Sequence, residues 1–140
     1  MSWKLDCIVK LAVEENIRVR SMNPQWEKSI PRPYYFKENC TVHINIGRAT
    51  GKTKYILDNS EIGDVVFTFS EISKDLYRSI KTKHLFSSLR TCVKEKLINV
   101  NFVYIDEPSL FLKNQNCNIM DVYEAFKYVD SEPIFILLGE

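Results

Sequence analysis

The sequence predicts an α/β fold: a three-layer sandwich with helices on both faces of a mostly parallel sheet. Two observations predict it. Short β-branched or aromatic runs alternate with stretches of helical spacing, and that rhythm implies parallel strands joined by right-handed crossovers. The runs FVYI (102–105) and IFILL (134–138) are apolar at consecutive positions, the composition of strands covered on both sides.

The elements follow in order. Leu5, Ile8, Leu11 and Ala12 fall at helical spacing and predict a first helix over 4–20. Residues 21–40 carry Pro24, Pro31 and Pro33 and read as an extended connector. Trp26, Tyr34, Tyr35 and Phe36 make that connector too aromatic to hang free, so it is expected to pack on the rest of the chain. The first strand is TVHINI (41–46), and a helix follows from GKTKYILDNS. DVVFTFS (64–70) is the second strand, and 70–97 reads as one long helical stretch, with a pause in its apolar spacing near Lys81–His84. VNFVYI (100–105) is the third strand, 118–130 another helix, and PIFILLG (133–139) the fourth strand. The expected organisation is one domain over 1–140, with 1–40 as helix and Pro-rich connector packed on a core of 41–140.

Composition narrows the function classes. Net charge is +1, so no strong field draws the chain toward nucleic acid or a membrane surface. The four cysteines form no CxxC pair, and with only two histidines there is no zinc ligand set. Reduced thiols and a cytoplasmic location are expected. The N-terminus lacks the long apolar run of a signal peptide or membrane span.

Two of the four glycines, Gly47 and Gly51, lie in INIGRATGKT (44–53). A phosphate group is held by converging backbone N–H donors at the positive end of a helix dipole, and a glycine loop between strand and helix supplies them. Lysine after the second glycine reaches the phosphates, and the next hydroxyl residue ligates Mg²⁺. Gly51, Lys52 and Thr53 stand in that order. The usual spacing, G-x-x-x-x-G-K-[ST], would place its first glycine at Ile46; here Gly47 supplies it one position late. The competing reading is a helix start after an ordinary glycine turn.

The third strand ends in Asp106-Glu107. Ligand chemistry on parallel sheets gathers at the carboxyl ends of strands. Asp106 is placed there to hold Mg²⁺ and Glu107 to polarise an attacking water, and Pro108 stops the strand ladder. The plainer alternative is an acidic turn at a strand end.

Together these residues resemble the P-loop NTPase superfamily, with GRATGKT as a Walker A variant and FVYIDE as a Walker B carrying the adjacent glutamate of the additional-strand, catalytic-glutamate division. The loop is most similar to that of phage terminase large subunits, whose Walker A runs small residue, Arg, any, any, Gly, Lys, Ser/Thr. The resemblance spans 41–140 in motif order. It implies a minimal domain with the four core strands in the order 1-4-3-2, often with a fifth beside the first. It also implies Mg²⁺-dependent binding and hydrolysis of ATP, as in packaging motors and helicases. Gly47, Arg48, Ala49, Thr50, Gly51, Lys52 and Thr53 would bind the nucleotide, Thr53 and Asp106 the Mg²⁺, and Glu107, Lys52 and Arg48 would act in catalysis. A viral or phage origin and the host cytoplasm follow from the same likeness.

Other readings stand beside it. The chain ends after the fourth strand, which favours a nucleotide- or partner-binding module with little turnover, acting through another copy or another protein. A small-molecule kinase ranks last, because no arginine-rich lid is visible. Arg78 and Arg90 read as surface residues on a helix rather than a trans-acting finger. Lys81, Lys83 and His84 are the candidate nucleic-acid contacts, against a solvated helix end.

Overall fold

A computed structural model of the chain describes residues 2–45 and 51–140. Five parallel strands form one sheet: β1 (Thr41–Ile44), β2 (Val65–Phe67), β3 (His84–Phe86), β4 (Phe102–Asp106) and β5 (Ile134–Leu138). Their spatial order is β1-β5-β4-β2-β3. The four strands expected from the sequence thus stand in the order 1-4-3-2, and the fifth lies beside the second rather than the first. Register is set by pairs such as Val42 with Ile136, Tyr104 with Ile136 and Val66 with Tyr104.

Alternation along β4 and β5 builds two cores. Val103, Ile105, Phe135 and Leu137 point to one face and meet Tyr35, Phe36, Phe111, Val122, Tyr123 and Phe126. Those residues come from α3 (Arg32–Asn39), α6 (Pro108–Gln115) and α7 (Ile119–Ala125), with Phe126 just beyond it. Tyr104, Ile134, Ile136 and Leu138 point to the other face and meet Leu5, Val9, Tyr55 and Ile56. These belong to α1 (Ser2–Met22) and α4 (Lys52–Asn59). Side chains buried on both faces are what the unbroken apolar strand runs require.

Three stretches differ from the sequence expectation. The 21–40 connector is helical, containing α2 (Gln25–Ser29) and α3. Its prolines do not oppose this: Pro24 and Pro31 are N-caps and Pro33 lies in the first turn of α3, where a missing N–H breaks no helical bond. Its aromatics do pack: Tyr35 and Phe36 are buried and Trp26 lies against the same cluster, whereas Tyr34 is exposed. Arg32 fastens the segment by donating to the carbonyls of Lys127, Val129 and Ser131.

The expected long helix over 70–97 is instead a 3₁₀ segment (Ile72–Tyr77), β3 and the short α5 (Leu89–Val93). His84, Leu85 and Phe86 pair with Val65, Val66 and Phe67, so sheet pairing overrides local helical spacing. The Thr82 hydroxyl donates to the Asp64 carbonyl and accepts from the His84 amide, which pins the start of β3 beside β2. The third departure is α6, which follows β4 directly. Pro108 does end the strand, but it also occupies the first helical position, where its fixed φ suits a helix.

None of the four cysteines is disulfide-bonded. Among the described residues, no helix is long and apolar enough to cross a membrane.

Candidate functional site

A cleft of about 430 Å³ opens at the carboxyl ends of the strands. Asn45 follows β1, Phe69 lies just past β2, Asp106 ends β4, Glu107 follows it, and Glu140 follows β5; all line the cleft. Lys52 and Thr53 enter from the first turn of α4, and Ser109, Leu110 and Lys113 from α6.

Local backbone geometry explains why these side chains meet. Gly51 caps α4 at φ 81°, a left-handed conformation that glycine adopts without penalty. Helix bonding begins with the Tyr55 amide donating to the Gly51 carbonyl at 2.8 Å. The amides of the turn before Tyr55 therefore have no intrahelical acceptor. Glu107 is also left-handed, at φ 54°, which costs a non-glycine residue roughly 1–2 kcal/mol. That kink turns the chain from β4 into α6 within one residue. It is held by the Glu107 amide donating to the Leu138 carbonyl and the Phe111 amide donating to the Glu107 carbonyl.

Four of the residues expected in the site converge. Lys52 Nζ lies 2.5 Å from Glu107 Oε1. The Thr53 hydroxyl donates to Asp106 Oδ2 at 3.0 Å. Gly51 caps the helix that carries Lys52 and Thr53. Gly47, Arg48, Ala49 and Thr50 lie outside the described residues.

Asp106 is the most enclosed acid of the cleft, 4% exposed. Burial pushes its carboxyl above the usual carboxylate range, opposed by hydrogen bonds from Tyr77 and Thr53. The Tyr77 hydroxyl donates to the same oxygen, Oδ2, at 2.5 Å. Tyr77 is itself sealed, and burial, with the Asp106 charge second, drives its phenol far above the ordinary value, so it remains a donor. Asp106 and the Thr53 hydroxyl are hard oxygen ligands held side by side. They suit Mg²⁺, which takes few protein ligands and completes its shell with water and phosphate oxygens. Among the described residues no group of three or more His, Cys, Asp or Glu side chains is arranged for a metal.

The sequence did not point to Tyr77, Ser109, Lys113, Gly139 or Glu140. Tyr77 lay inside a stretch read as helix, and α6 was not expected at all. Gly139 carries a usable signal, being one of only four glycines and directly following a strand. Its φ is 118°, and a Cβ there would fall 2.8 Å from Glu107 Oε1. Arg78 and Arg90 are exposed, in keeping with a surface role, as are Lys81 and Lys83; His84 lies on β3.

No family model, curated protein or solved structure matches this chain.

Proposed function

We propose that the cleft binds the phosphate chain of a nucleoside triphosphate, ATP in the first instance, with Mg²⁺, and that the protein hydrolyses it. One observation carries the reading. Lys52 and Thr53 at the start of α4 and Asp106 and Glu107 at the end of β4, more than fifty residues apart, share one cleft beyond the sheet's carboxyl edge. The juxtaposition supplies a cation, the positive end of a helix, two oxygen ligands and a carboxylate base within one cavity, the parts phosphoryl transfer needs.

Lys52 and the α4 amides take the phosphate oxygens. Thr53 and Asp106 would hold Mg²⁺, which neutralises phosphate charge when bound. Tyr77 fixes the Asp106 carboxylate from behind. Glu107 takes the proton of the attacking water once Lys52 turns to phosphate. Arg48 is the residue of the loop proposed to act on the terminal phosphate. By its loop and strand motifs the protein is proposed to be a P-loop ATPase of the terminase type. Phosphate release from ATP tests the reading: wild type turns over with Mg²⁺, and Glu107→Gln stops it. Unchanged turnover in Glu107→Gln would show that Glu107 is not the base.

A second reading is a module that binds nucleotide with little turnover. The Lys52–Glu107 ion pair favours it, because that contact ties up the carboxylate that must activate water. ADP binding without measurable phosphate release would support it.

A further inference from the structure

We infer that Glu107 is a built-in competitor for the phosphate position at Lys52, and that Gly139 is the residue that seats it there. The inference rests on the phosphate-binding reading above and adds a regulation of the same site: the nucleotide's phosphates must displace a carboxylate before they reach the lysine.

The geometry is specific. Glu107 Oε1 lies 2.5 Å from Lys52 Nζ, with the two side chains 25% and 10% exposed. A charge-assisted contact that is partly shielded from solvent competes directly with a phosphate oxygen for the same ammonium. The carboxylate does not arrive there by rotamer choice alone. Glu107 stands at φ 54°, and its backbone is tied to β5 through the Leu138 carbonyl. Its carboxylate rests against the bare Cα of Gly139: a Cβ at that position would meet Oε1 at 2.8 Å, Cδ at 2.9 Å and Oε2 at 3.0 Å. Gly139 cannot easily withdraw, because its amide donates to the Ile44 carbonyl and its carbonyl meets His43 Nε2. Added bulk at 139 therefore presses on the Glu107 carboxylate, the flexible partner, while at φ 118° it also strains its own backbone.

Two consequences separate this arrangement from a plain ion pair. Releasing the carboxylate strengthens phosphate binding, although it abolishes the base. Moving it without changing any charge has the same effect on binding and also lowers turnover. Glu140 lines the same cleft and provides the control for net charge.

The test is calorimetric titration of ADP and of inorganic pyrophosphate into wild type, Glu107→Gln, Gly139→Ala and Glu140→Gln, with thermal melts to confirm folding. ADP is not hydrolysed, so trapping by blocked turnover does not enter. The expected result is about tenfold tighter binding in Glu107→Gln, the scale of one charge-assisted hydrogen bond. Gly139→Ala should bind tighter than wild type while its ATP turnover falls, and Glu140→Gln should stay within about twofold of wild type. Equal tightening in Glu107→Gln and Glu140→Gln would assign the effect to the field of the cleft and overturn the competitor. So would binding in Glu107→Gln no tighter than in wild type. If neither wild type nor any variant binds ADP or pyrophosphate, the phosphate-binding reading falls and the inference falls with it. Should Gly139→Ala fail to fold, the comparison of Glu107→Gln with Glu140→Gln decides alone.

Discussion

The Thr53 hydroxyl donates to Asp106 Oδ2 at 3.0 Å, joining the first turn of α4 to the last residue of β4. Through this bond the helix start carrying Lys52 and the strand end carrying Glu107 are held in one register. Asp106 accepts a second bond at the same oxygen from Tyr77, so its position is set from both sides of the cleft floor.

Tyr77→Phe removes one of those donors and leaves a buried carboxylate less satisfied. Loss of roughly 1–3 kcal/mol of stability is expected by urea denaturation at neutral pH. The hydrogen bond from Tyr77 opposes the burial-driven rise at Asp106, so its removal lets the carboxyl titrate higher still. The cost of the substitution should therefore shrink in acid, where Asp106 is protonated in both proteins.

Asp106→Asn should separate stability from function. Burial raises the Asp106 carboxyl in the folded protein above its unfolded value, so folding favours the protonated form. The stability this group contributes is full below the unfolded value, near 3.8, and is lost as pH rises through the folded one. Asparagine carries no such loss. The melting temperature of the variant relative to wild type should rise with pH across the carboxylate range. Mg²⁺-dependent strengthening of ATP binding should disappear in the same variant. Asp64, also raised by burial, titrates alike in both proteins and cancels in the comparison.

Arg32→Ala tests the helical connector. Its guanidinium donates to three carbonyls ahead of β5 and lies over the Phe36 ring, 5.1 Å from its centroid. A loss of about 2–3 kcal/mol is expected by denaturation. Arg32→Lys should recover only part of it, because an ammonium cannot span the same fork of carbonyls.

Much of the fold was legible because its signals are local. FVYI and IFILL are strands by composition, and the strand–helix rhythm specified parallel pairing. The meeting of Lys52 and Thr53 with Asp106 and Glu107 was legible too, since residues at the carboxyl ends of parallel strands share one edge. What stayed hidden depends on partners distant in the chain. His84–Phe86 is a strand only because Val65–Phe67 lies beside it. Tyr77 reaches Asp106 only once the segment after β2 winds as a 3₁₀ turn. The helices of the connector were obscured by prolines that sit at caps and in a first turn, where they are tolerated. Gly139 has a role only because Glu107 bends toward it, which no spacing along the chain reveals.

Lys52 is the residue proposed to bind phosphate in this cleft. Calorimetric titration of ATP with Mg²⁺ into wild type and Lys52→Ala tests it most directly. Saturable one-to-one binding by wild type and at least about a tenfold loss in Lys52→Ala are expected, with both proteins folded. Equal affinity in the two proteins, or no binding by wild type at millimolar ATP, would contradict it.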